Sequence, residues 1–184
     1  MKKYLYVFIY AFLMSFAVHV QAEEGAVKAA IPVEEIILQQ CTDGTLGVKF
    51  LCNPDWSLET DENAILVVIS EDPAVLFTVA KVETPLAFVE ELNGEQLKQM
   101  GQYADEFSTQ LIQLAGHDAL KVEGFSEKYP SIRLRDYYVI QGNVLYSFLF
   151  SVDPRELFNK YSPLFEKIIS SVEVMAEKEA KEGG

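Results

Sequence analysis

Residues 132–152 constrain the fold of this chain more than any other stretch. Ile132 to Ile140 and Val144 to Val152 are rich in β-branched and aromatic residues and flank Gly142-Asn143. That two-residue connection predicts a type II′ hairpin. The turn then sets the register. Leu134, Asp136, Tyr138 and Ile140 share one face with Leu145, Ser147, Leu149 and Ser151. The other face carries Arg133, Arg135, Tyr137 and Val139 with Tyr146, Phe148, Phe150 and Val152. Neither face is polar enough to be left in water, so the hairpin needs cover on both sides.

The remaining segments supply strands and the cover. Gly47 to Cys52 reads as a short apolar strand running into an Asn53-Pro54 turn that delivers Trp56, the only tryptophan. Trp56 to Thr60 reads as a further strand. Ala64 to Ile69 is apolar on both sides, as a strand covered on two faces is. Val75, Phe77 and Val79 alternate with Leu76, Thr78 and Ala80 in the next strand. Leu111 to Leu114 and Ala119 to Phe125 flank a turn at Gly116-His117-Asp118. Ile36 to Leu38 is too short to show a period.

Helices are expected in three places. Thr84-Pro85 offers an N-cap followed by a first-turn proline. After Asn93, the spacing of Leu97, Met100, Ala104 and Phe107 is helical, with Gly101 weakening it. The closing helix has Asp153 as cap, Pro154 in its first turn and Glu156 in a capping-box position. Leu157, Tyr161, Leu164, Phe165, Ile168 and Val172 form its apolar stripe, and Ser162-Pro163 predicts a break into two segments.

The chain begins with Lys2 and Lys3, an apolar run to Val20, and Val20-Gln21-Ala22 before Glu23. This is a signal-peptide pattern with cleavage after Ala22; an uncleaved membrane anchor is the alternative. The expected organisation is a signal peptide over 1–22, a leader over 23–40, a single domain over 41–175 and a charged tail over 176–184. The protein is expected to be exported, either periplasmic or secreted. Removing residues 1–22 leaves 13 basic against 28 acidic residues, a net charge of −15. That balance argues against nucleic acid, whose phosphates need cationic contacts, and against a lasting hold on anionic membranes. In an exported chain Cys41 and Cys52 are expected to form a disulfide, two buried thiols being the alternative.

Catalytic chemistry finds little to work with. After cleavage His117 is the sole histidine, so any Ser-His or Cys-His scheme depends on it, and its turn position favours a solvated side chain. Zinc sites want three or four protein ligands, and no acidic cluster has ligand spacing. No cofactor or metal is expected. Two polar features are singled out. Asp136 alternates into the sheet between Leu134 and Tyr138, as a perturbed carboxylate or as a structural acceptor. Arg133, Arg135 and Tyr137 line the opposite face, as a partner-binding patch or as arginines stacked on Phe150.

Gly47-Val48-Lys49-Phe50-x-Cys52-Asn53-Pro54-Asp55-Trp56, Gly116-x-x-Ala119, Arg135-Asp136-Tyr137-Tyr138, Tyr146-x-Phe148-x-Phe150 and Tyr161-x-x-Leu164-Phe165-x-x-Ile168-x-x-Ser171 follow one another. In this order they resemble the PsbP-like superfamily over about residues 45–175, most of one fold unit. The resemblance implies an α+β fold: an antiparallel sheet with helices on both faces, an α/β/α sandwich. Photosynthetic members support the oxygen-evolving complex and are associated with manganese or calcium; another member binds the Ran GTPase. This chain lacks a recognisable ligand set, and its export signal does not suit Ran binding.

The expected function is therefore an exported, non-catalytic accessory module that acts through a protein partner. The alternative is a carrier holding a small apolar ligand between sheet and helix, which requires a cavity of several hundred Å³.

Overall fold

A computed structural model describes residues 36–175. The expected signal peptide, most of the leader and the tail lie outside the described residues. The described residues form a mostly antiparallel β protein with two α-helices. Its strands are β1 (Gln39–Asp43), β2 (Val48–Cys52), β3 (Ser57–Thr60), β4 (Ala64–Ser70), β5 (Ala74–Glu83), β6 (Tyr103–Leu114), β7 (His117–Ser126), β8 (Arg133–Gln141), β9 (Val144–Asp153) and β10 (Glu173–Val174). Helix α1 spans Gly94–Gly101 and α2 spans Phe158–Ser170. Seven strands form one sheet in the order β3-β4-β5-β9-β8-β7-β6; β1, β2 and β10 form a second, smaller one.

The hairpin register follows the turn: Gln141 pairs with Val144, Tyr138 with Ser147 and Arg135 with Phe150. Gly142 takes a φ of 63°, the geometry a type II′ turn demands of its first residue. Both faces are covered. On one, Phe158, Tyr161, Leu164, Phe165 and Ile168 of α2 join Phe77, Val139, Phe148 and Val152 in the larger cluster. Aromatic rings link the layers there. Phe77 stacks on Phe150 with centroids 4.5 Å apart, Phe150 on Phe165 at 4.4 Å, and Phe50 of the small sheet meets Phe77 edge-on at 5.4 Å. Such contacts add to the area buried by geometry of their own. Against the other face, Val89, Leu92 and Leu97 pack with Leu120, Val122, Leu134 and Tyr138.

The small sheet is stitched to α2. Ser171 Oγ accepts the Leu51 N–H at 2.8 Å and donates to the Ile168 carbonyl at 2.6 Å, tying the helix end to β2. The Cys41–Cys52 disulfide joins β1 to β2, with Cα atoms 5.9 Å apart. Strand β1 includes Gln39 and Gln40, paired with Cys52 and Leu51, so ordered structure starts within the segment expected to be leader.

Several local expectations are corrected. Helix α1 ends at Gly101, where Gln102 takes a left-handed C-cap (φ 52°). Ala104 and Phe107 belong to β6, because that strand gains a whole edge of pairing with β7. No α-helix follows Thr84; its hydroxyl accepts the Leu86 N–H at 3.2 Å, and only a 3-10 turn forms at Val89–Glu91. Asp153 does not cap the closing helix. It ends β9 opposite Ala74, and a 3-10 turn at Arg155–Leu157 leads into α2. Nor does Pro163 break that helix. Tyr161 on one side of it and Leu164 and Phe165 on the other are buried in the same core, while Pro163 itself faces solvent. Burial of a continuous stripe outweighs the one helical hydrogen bond that proline removes. The 114–119 turn also shifts by a residue: Ala115 (φ 53°) and Gly116 (φ 78°) form it, and His117 begins β7 opposite Leu114.

Candidate functional site

The residues singled out on β8 separate into two clusters by the alternation of the strand. On the α2 side, Arg135 is 6% exposed. Its Nε lies 2.7 Å from Glu123 Oε1, without the alignment of a hydrogen bond. Its Nη1 donates to Glu166 Oε1 at 2.7 Å and to Ser162 Oγ at 2.9 Å. Lys121 and Arg133 also reach Glu123, at 2.9 and 3.3 Å. Burial raises the Glu123 pKa, but Lys121 and the two arginines outweigh it and leave it below the ordinary carboxylate value. The Tyr137 hydroxyl donates to Glu166 at 3.4 Å, and burial pushes its pKa up.

This arrangement leaves only part of the expected docking face accessible. Tyr137 is 1% exposed and lies with Arg135 beneath α2; Arg133 is half-buried. The helix covers these residues because its stripe packs on β9 beside them, Phe165 stacking on Phe150. The arginines stack on Phe158, with guanidinium carbons 4.6 and 4.9 Å from its centroid. They do not stack on Phe150, whose ring is enclosed by Phe77, Phe165 and Tyr137. The cluster fastens helix to sheet.

On the opposite side Asp136 is 1% exposed. Ser147 Oγ donates to its two carboxylate oxygens at 2.9 and 3.1 Å. Burial raises its pKa to about 6, and the Tyr138 and Ser147 hydroxyls hold it back from rising further. Tyr138 acts on this carboxylate without a hydrogen bond of normal geometry, and the neighbouring Tyr103 hydroxyl is buried unpaired. Burial together with the adjacent Asp136 charge raises both phenol pKa values strongly.

A small cavity touches this second cluster, lined by Val82, Met100, Tyr138, Leu145 and Ser147, and it measures about 20 Å³. That is room for one water, not for a drug-sized ligand. The carrier alternative gains nothing from it.

The two acid-base candidates of the sequence, Asp136 and His117, lie apart. Asp136 pairs with Val122 across β7–β8, whereas His117 stands at the start of β7, five residues along the strand from Val122. At strand rise that is roughly 16 Å. Among the described residues, no three His, Cys, Asp or Glu side chains are placed to hold a metal ion.

A third, exposed cluster was not anticipated from the sequence. Phe125 at the end of β7 is 37% exposed and Tyr129 in the following loop is 41% exposed. Each carries a cation on its ring: Arg155 lies 5.1 Å from the Phe125 centroid and Lys128 lies 5.0 Å from that of Tyr129. The loop is held in place. Ser126 Oγ accepts the Tyr129 N–H at 3.2 Å, Ile132 N–H donates to the Tyr129 carbonyl, and Arg155 N–H donates to the Ser131 carbonyl at 2.7 Å. The available signal was alternation: Phe125 shares its face with Lys121 and Glu123, so a large apolar ring ends a polar row.

No protein-family model and no curated protein matches the chain. Solved structures do. A protein from Bacteroides thetaiotaomicron VPI-5482 superposes with a TM-score of 0.53 at 13% identity, covering 76% of this chain. This chain spans about half of that protein's length, 49%. Cyanobacterial PsbP from Synechocystis sp. PCC 6803 superposes with a TM-score of 0.51 at 15% identity, covering 82% of this chain and 97% of its own. At these identities the likeness is one of fold: the chain has a PsbP-like fold.

Proposed function

We propose that this protein is an exported, non-catalytic accessory module that acts by binding a protein partner. The observation that carries the reading is the pair Phe125 and Tyr129: exposed aromatics, each stacked by a cation, at the end of β7 and in the following loop, which backbone hydrogen bonds hold in place. Aromatic and arginine side chains dominate the energetics of protein interfaces, and a fixed loop loses little entropy on docking. This surface replaces Arg133, Arg135 and Tyr137 as the contact site. Export fits the sequence pattern at residues 1–22 and the disulfide between Cys41 and Cys52. In this reading residues 41–175 act as one α/β/α unit, with the 84–101 insert and α2 on its two faces.

The test is capture of partners from the protein's own exported compartment on immobilised chain, with the affinity of the purified partner then measured. Phe125→Ser combined with Tyr129→Ala should weaken that affinity at least tenfold, with circular dichroism and unfolding midpoint unchanged. Equal binding by the double variant would remove the surface. Substrate turnover abolished by Asp136→Asn would overturn the non-catalytic reading.

A further inference from the structure

The two edges of the large sheet are guarded very differently. Strand β3 is short, carries Glu59 and runs into Asp61-Glu62. At the other edge β6 has 12 residues. Its first part is protected by a bulge between Tyr103 and Phe107 that contains Asp105 and Glu106. Phe107 to Leu114 has no charge, glycine or proline. Leu111 is 54% exposed on this edge. Among the described residues, 108–114 make no backbone hydrogen bond beyond the ladder with β7. A long uncharged edge is a template for another strand, and proteins normally interrupt it with lysine, proline or a bulge.

From this geometry we infer that β6 is a self-association edge, and that its occupant is β6 of a second copy. The pairing is antiparallel about a two-fold axis perpendicular to the sheet. Such an axis keeps each copy's faces on the same side, so residues of like parity stand opposite one another. Setting Leu111 against Leu111 places Thr109 opposite Gln113, Gln110 opposite Ile112 and Ser108 opposite Leu114. Every pair in this ladder is uncharged. The acids of the bulge fall beyond it, alongside the second copy's Ala115-Gly116 turn and His117, so no acid meets an acid. In a chain of net charge −13 this matters, because most other surfaces would bring like charges together. The join extends the seven-stranded sheet into one that is continuous across both copies.

Sedimentation equilibrium on the full chain tests this, with Leu111→Lys and Leu111→Glu as variants. Both substitutions are at an exposed side chain and should leave the unfolding curve intact. The parent should dimerise, and each variant should do so at least tenfold more weakly, because like charges then stand opposite across the axis. An equimolar mixture of the two variants should recover the dimer, since lysine and glutamate then pair. A parent that is monomeric at about 1 mM would overturn the inference. So would a dimer indifferent to either variant, or a mixture that recovers nothing. A monomeric parent that captures a different protein through β6, with the capture lost in Leu111→Lys, would reassign the edge to another occupant and equally overturn it.

Discussion

Arg135 and Asp136 are adjacent in sequence, yet their side chains lie on opposite faces of the same sheet and in opposite electrostatic situations. Arg135 lies between Glu123 and Glu166 under α2. Asp136 has no basic partner; its carboxylate rests on the Ser147 hydroxyl in an apolar layer. One helps hold the molecule together, and the other works against it when charged.

Asp136 should make stability fall as pH rises. Its folded pKa is raised from 3.8 to about 6, so the folded state binds the proton more tightly than the unfolded chain. The benefit is complete below about pH 4 and is lost on passing through about pH 6. The difference corresponds to about 3 kcal/mol. Asp136→Asn keeps an acceptor for Ser147 and cannot ionise. Urea unfolding from pH 4 to 7.5 should show the variant gaining on the parent across that window; a constant difference would contradict the placement of Asp136.

Arg135→Met should cost about 2 kcal/mol, because it removes the guanidinium that links Glu123 to Glu166 and Ser162, while Lys121 and Arg133 still pair with Glu123. Glu166 is 55% exposed, and Glu166→Gln should cost less than about 1 kcal/mol. Denaturant unfolding of both variants and of the double variant measures the coupling. Equal costs for the two single changes would mean the helix-to-sheet cluster is mislocated.

Gly124→Ala should destabilise by about 1–3 kcal/mol. An added Cβ would stand 2.9 Å from both Phe107 Cβ and Tyr103 Cδ1, where the β6 bulge folds over β7. Thermal unfolding reads this directly, and a neutral substitution would show that the bulge does not press on Gly124.

Reducing the Cys41–Cys52 bridge should remove about 3 kcal/mol on the chain-entropy account, given the sequence separation of 11. Unfolding midpoints with and without reductant test it, alongside non-reduced peptide mapping. The small sheet should loosen first, seen as faster amide exchange in 39–52 than in β8 and β9.

Much of the sheet was readable because its signals are local. Gly142-Asn143 fixes a register by backbone geometry alone, and the period of two then assigns every side chain of β8 and β9 to a face. The disulfide could be expected from the export signal. The helices were less legible. Pro163 and Asp153 carry strong local signals, but core packing of α2 and the β5–β9 ladder overruled them.

The sequence by itself determined the hairpin, the separation of Arg135 from Asp136, and the scarcity of histidine that starves most acid-base schemes. Only the tertiary structure decided what covers each face. Where α2 lies determines that Arg135 and Tyr137 are buried and that Phe125 and Tyr129 remain in water. Strand order determines that β6 is an edge. Exposure and edge position depend on contacts between segments far apart in the chain, and no local pattern encodes them.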